Sequence, residues 1–121
     1  MSTCLVADDS RVIRLLLSKI MAKLGFSVLE AEDGEDVVEL TQTHEPDLVI
    51  MDWNLPILDG IDVLYKIREL NLTKKPTVIF CSSSSDLDRI YQAIDGGADD
   101  YIIKPFDEDI ISLKLTILGL L

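Results

Sequence analysis

Five short, almost solidly apolar runs alternate with segments whose apolar residues recur at helical spacing, and this alternation confines the chain to one class of architecture. The runs Thr3–Ala7, Phe26–Glu30, Asp47–Met51, Thr77–Cys81 and Tyr101–Ile103 read as strands. Most are apolar throughout, as strands covered on both faces of a parallel sheet must be. Between them, Ser10–Leu24 places Ile13, Leu16, Leu17, Ile20, Met21 and Leu24 at i, i+3, i+4, i+7 spacing and meets Gly25 as a stop. Asp33–Thr43, Ile61–Leu70, Asp86–Asp95 and Asp107–Leu120 complete the helices, with acidic residues at several N-termini and Pro46 or Gly96-Gly97 beyond the ends.

Strict β-α order calls for right-handed crossovers, hence a three-layer, doubly wound α/β sandwich around a five-stranded parallel sheet. A length of 121 residues suits one domain over 1–121, with no linker or low-complexity tract. With strand one starting directly after Met1 and the last helix running to the end, no output domain is expected.

Charge and apolar run length exclude other classes. A net charge of -11 would be repelled by a phosphate backbone, so direct nucleic-acid binding is not expected. The apolar runs are far too short for a membrane span, and no secretory leader is visible. A cytoplasmic protein is expected, with Cys4 and Cys81 as reduced thiols in separate apolar runs.

In a doubly wound sheet, ligands bind beyond the carboxyl ends of the strands. Here the first strand ends at Asp8-Asp9, the third at Asp52, the fourth at Ser82 and the fifth at Lys104. An aspartate after a strand is ordinarily a helix cap, but four strands ending in this way converge three carboxylates, a hydroxyl and an amine on one rim. Clustered carboxylates repel unless a cation neutralises them, and hard oxygen donors suit Mg²⁺, with Mn²⁺ able to replace it. Asp8, Asp9 and Asp52 are assigned to the metal. Asp52 also has an oxygen able to attack phosphorus, while Lys104 and Ser82 are placed to stabilise charge on phosphoryl oxygens.

With these residues in place, the chain resembles the receiver domain of two-component response regulators over essentially its whole length. The resemblance is carried by Asp8-Asp9-Ser10, Asp52-Trp53-Asn54-Leu55-Pro56 with Asp59-Gly60, Ser82, and Gly97-Ala98 leading to Tyr101-Ile102-Ile103-Lys104-Pro105-Phe106. It implies strand order 2-1-3-4-5 and a phosphoryl group passed from a partner's phosphohistidine to Asp52. It also implies that the Asn54 backbone carbonyl joins the Mg²⁺ ligands, that Lys104-Pro105 is cis, and that Tyr101 is a switch aromatic coupled to Ser82. Asn54 and Ser84 match positions that tune hydrolysis. Ser82 lies in a four-serine run and is taken as the hydroxyl because of its spacing to Lys104.

The resemblance implies as partners a sensor histidine kinase or histidine phosphotransfer protein, and a downstream protein met through helix 4, strand 5 and helix 5. A monomer or weak dimer is expected, catalysing only its own phosphorylation and dephosphorylation rather than acting as an enzyme. A Mg²⁺-dependent, haloacid-dehalogenase-like phosphohydrolase is the alternative, but it needs a second Asp where Asn54 stands. A flavodoxin-like carrier needs a phosphate loop where Asp8-Asp9 stand, and a receiver cut from a larger regulator is a further alternative.

Other features carry two readings each. Ser10–Leu29 holds Arg11, Arg14, Lys19 and Lys23 with no acid, whereas Asp86–Asp109 holds eight acids against Arg89 and Lys104. These are either two solvated faces or docking surfaces of opposite sign. Trp53 is either packed or a partly exposed lid, and the apolar surplus of the last helix is either core or a partner surface. His44, the only histidine, reads as a helix-end surface residue.

Overall fold

The computed structural model describes residues 2–121. Strands β1 (Thr3–Ala7), β2 (Ser27–Ala31), β3 (Leu48–Met51), β4 (Thr77–Ser82) and β5 (Asp100–Ile103) alternate with helices α1 (Arg11–Lys23), α2 (Gly34–His44), α3 (Gly60–Glu69), α4 (Leu87–Asp95) and α5 (Glu108–Ile117). The strands form one sheet in the order β2-β1-β3-β4-β5, all pairings parallel.

Because strand side chains alternate between faces, each strand feeds two cores. Leu5, Ala7, Val49, Met51, Val78 and Phe80 pack under α2, α3 and α4. Cys4, Val6, Leu48, Ile50, Ile79 and Cys81 pack under α1 and α5 with Leu17, Met21, Ile111 and Leu115. Both cysteines are free and buried, and burial pushes the Cys81 thiol up to about 12 and Cys4 higher still.

The element boundaries follow local hydrogen bonding. Ser10, Asp33, Asp86 and Asp107 cap their helices by accepting from the amides of Ile13, Asp36, Asp88 and Ile110. Phe26, expected in the second strand, instead closes α1: Gly25 turns at φ +98° and the Phe26 amide donates to the Met21 carbonyl at 3.0 Å. The last helix stops at Ile117 rather than Leu120 for the same reason. Gly119 adopts φ +78° and the Leu120 amide returns to the Leu115 carbonyl at 2.8 Å. Among the described residues no helix is long and apolar enough to cross a membrane.

Candidate functional site

Strand register places the site. Ala7 of β1 pairs with Met51 of β3, so Asp8 and Asp52 are adjacent exits from the two central strands, and the Asp52 amide donates to the Ala7 carbonyl at 3.0 Å. On the far side of β3, Ser82 pairs with Ile103, and the next amide, that of Lys104, donates to the Ser82 carbonyl at 2.8 Å. The Lys104-Pro105 peptide is cis.

Asp8 and Asp52 retain only 1% and 9% of their accessible surface, while Asp9 is exposed. One carboxylate oxygen from each of Asp8, Asp9 and Asp52 falls within 4.8 Å of the others. Lys104 Nζ donates to Asp8 Oδ2 at 2.8 Å and to Asp52 Oδ2 at 3.2 Å. The other Asp52 oxygen accepts from the Asn54 amide at 3.3 Å, and Asp8 Oδ1 accepts from the Ser10 amide at 2.9 Å.

Burial raises the Asp52 pKa above the ordinary carboxylate value, and the Asp8 charge adds to this against the opposing pull of Lys104. Burial pulls Lys104 the other way, but its hydrogen bond to Asp8 and the charges of Asp52 and Asp8 outweigh that, so its pKa lies above the usual lysine value. The site is thus two buried or nearly buried anions and a third at the rim, held against one protonated amine. A compact, all-oxygen donor set of this kind fits a hard divalent cation, and Mg²⁺ tolerates the open side left for water and phosphate oxygens.

Ser82 is fully buried at the end of β4, its Oγ accepting from the Ser84 amide at 3.3 Å. Among the described residues no hydrogen bond joins it to Asp52. Tyr101 is turned inward, and its hydroxyl donates to the Ser84 carbonyl at 3.1 Å. The serine loop is therefore tied both to the β4 end and to the aromatic on β5.

Trp53 is packed rather than a lid. It is buried, its ring 5.2 Å from Phe80, which lies 6.3 Å from Tyr101, and the Arg89 guanidinium sits 4.8 Å over the indole. An aromatic row thus runs from the loop after Asp52 beneath α4 to β5. His44 is exposed at the end of α2, as expected. On α5, Ile111 and Leu115 are core, whereas Ile110, Leu113 and Ile117 are exposed, as are Tyr91 and Ile94 on α4 and Ile103 on β5, so part of its apolar surplus is surface.

Arg14 is the residue that the charge pattern misplaces. Rather than joining a basic outer face, it is buried, and Nη1 donates to the Asp8 carbonyl at 2.8 Å while Nε and Nη2 reach Glu30 and Glu32 at 3.1 and 3.2 Å. It braces the turn carrying Asp8 and Asp9. The spacing carries the signal, since Arg14 lies three and seven residues before Leu17 and Met21 on the buried stripe of α1.

Comparison with known proteins agrees with this geometry. A family model described as the response regulator receiver domain matches residues 4–116. The chain is 39% identical over 106 residues to the chemotaxis protein CheY of Bacillus subtilis, covering 87% of each. It is 37% identical over 103 residues to the transcriptional regulatory protein PdtaR of Mycobacterium tuberculosis, covering 84% of this chain and 49% of that protein. The solved structure of the chemotaxis response regulator CheY4 of Vibrio cholerae superposes with a TM-score of 0.87 at 25% identity, covering 100% of this chain and 99% of that one.

Proposed function

The chain belongs to the response regulator receiver family, and from that premise we propose that Asp52 is its phosphoacceptor, loaded from a partner's phosphohistidine. The observation that carries this reading is the convergence of Asp8, Asp52 and Lys104 from three strands onto one rim. In the transfer, an Asp52 carboxylate oxygen forms a bond to phosphorus as the N–P bond to the donor imidazole breaks, and the released imidazole takes up a proton. Lys104 is protonated before the step and offers its N–H groups to the phosphoryl oxygens as charge shifts onto them.

Asp8, Asp9 and Asp52, with the Asn54 carbonyl, would hold Mg²⁺ or Mn²⁺, which supplies neutralisation of the phosphoryl oxygens when bound. Ser82 serves as the hydroxyl that follows the phosphoryl group. Its loop moves with it, and because the Tyr101 hydroxyl holds the Ser84 carbonyl, that displacement is read on β5. The output face is then α4, β5 and α5, and on α4 the exposed Tyr91 and Ile94 line one recess with Asp88 and Asp95. A sensor histidine kinase or histidine phosphotransfer protein is the donor, and the chain acts in the cytoplasm as a monomer or weak dimer. Its only catalysis is on its own acyl phosphate.

A stand-alone phosphohydrolase is not supported, because Asn54 stands where a second acid would have to act on the leaving group. Intact mass after incubation with acetyl phosphate or phosphoramidate tests the assignment. A Mg²⁺-dependent gain of one phosphoryl group in the native chain, absent from Asp52→Asn, is expected; labelling of the variant to the same extent would refute it.

A further inference from the structure

The loop between β3 and α3 presents an apolar side chain where the backbone is least able to accept one. Ile57 has φ +72°. A β-branched residue in the left-handed region is a genuine outlier, and Gly, Asn or Asp would occupy it with less strain. Its side chain is also 70% exposed, so burial does not offset the strain.

Nor is the loop loose. The Gly34 amide donates to the Pro56 carbonyl at 3.1 Å and the Leu58 amide to the same carbonyl at 2.8 Å. Gly34 lies so close that an added Cβ would fall 2.7 Å from Leu58 Cβ and collide with the Leu58 carbonyl oxygen. Leu58 packs on the core beneath. Ile57 is therefore a fixed knob, pre-organised rather than mobile.

On one side of this knob lies a groove of about 460 Å³ between α2 and α3, with Val38 and Leu58 among its apolar lining, Glu35, Glu39 and Gln42 on its α2 wall and Lys66 as the single cation on its α3 wall. On the other lies a smaller recess walled by Asp33, Asp36 and the same two glutamates. Among the described residues, none of Glu35, Asp36 and Glu39 forms an ion pair within the molecule. Glu35 and Asp36 gain from the N-terminus of α2, but Glu39 lies beyond the first turn and does not.

We propose that the groove between α2 and the β3–α3 loop docks a basic amphipathic segment of a partner protein, its apolar side chains against Ile57, Val38 and Leu58 and its Lys or Arg side chains against Glu35 and Glu39. A second copy of the chain is the poorer occupant, since each copy carries a net charge of -11. The surface lies across α3 from α4, and it is distinct from the output face because α4 belongs to the far end of the sheet order. Lys66 pairs with neither glutamate and is outnumbered by them, so the groove stays net acidic, and a rigid apolar anchor beside unpaired charge is the arrangement in which a few residues dominate binding.

The probe is a fluorescein-labelled Leu/Lys amphipathic peptide, with a Leu/Glu peptide of the same pattern as its control, followed by anisotropy and by amide shifts of the ¹⁵N-labelled chain. Saturable binding of the Leu/Lys peptide alone is expected, with shifts centred on Val38, Gln42, Ile57 and Leu58. Ile57→Asn keeps a residue tolerant of the left-handed backbone, so it should hold the melting temperature while weakening binding about tenfold or more. Glu35→Lys combined with Glu39→Lys should abolish binding. Shifts centred instead on α4 and α5, undiminished binding by Ile57→Asn, equal binding of the Leu/Glu peptide, or no saturable binding to the native chain would each overturn the proposal.

Discussion

Lys104 donates from Nζ to Asp8 Oδ2 at 2.8 Å, placing an internal ammonium against a carboxylate of the metal set. On the proposed assignment the ammonium is therefore a competitor of the cation as well as a partner of the phosphoryl group. Lys104→Ala should bind Mg²⁺ more tightly, by about fivefold, because removing one unit charge a few ångströms away is worth about 1 kcal/mol even at high dielectric. Titration calorimetry measures this directly, and weaker Mg²⁺ binding in the variant would contradict it. The same variant should lose phosphorylation-dependent partner binding.

Asp52 should be stabilising to remove. Its pKa is raised in the folded chain, first by burial, so its contribution to stability is present below the ordinary carboxylate pKa and lost as pH rises through the folded value. At neutral pH the ionised group is a net cost. Asp52→Asn, measured without Mg²⁺, should gain on the order of 1 kcal/mol or less, allowing for solvent screening at a partly open site. Urea unfolding at pH 7 checks it, and acidification toward the carboxylate range should stabilise the native chain relative to the variant. A variant less stable than the native chain would mean that the lost Lys104 contact outweighs the relief of a buried charge.

Arg14→Met retains most of the aliphatic volume and removes the donors. Its carboxylate partners are 40% and 77% exposed, so the ion pairs contribute little, and the bond to the Asp8 carbonyl is the main loss. A cost of about 1–3 kcal/mol in urea unfolding is expected, the penalty of a buried acceptor left without its donor. Arg14→Lys should recover only part of it, since an ammonium cannot reach the three directions of the guanidinium fork.

Arg89→Ala tests the link between α4 and the acceptor loop. Loss of the cation over Trp53 should cost about 0.5–1 kcal/mol and shift the emission of the only tryptophan. An unchanged spectrum in a folded variant would mean that the guanidinium spends its time in solvent.

The sheet and four of its strand exits are legible in the chain because parallel strands are apolar on both faces and their ends carry the polar chemistry, so Asp8, Asp52, Ser82 and Lys104 announce themselves by position. Hydropathy misplaces Phe26 and Leu120, since both are apolar residues whose backbones close a helix after a left-handed glycine. Charge counting misplaces Arg14 because it ignores which face of α1 a residue occupies. Ile57 gives no signal at all: nothing in its identity marks a left-handed backbone, and the Leu58 and Gly34 amides on the Pro56 carbonyl, with the close approach of Gly34 to Leu58, fix it there.

The contacts of Lys104 with Asp8 and Asp52 close loops of 96 and 52 residues. Such closures are assembled late in folding, since loop entropy is lost before they return any stabilisation. Neither the first three strands alone nor the last two hold both the acids and the amine. Under the proposed assignment, competence to accept phosphate doubles as a proof of completed folding, and a truncated or half-folded copy would be silent rather than a source of false signal.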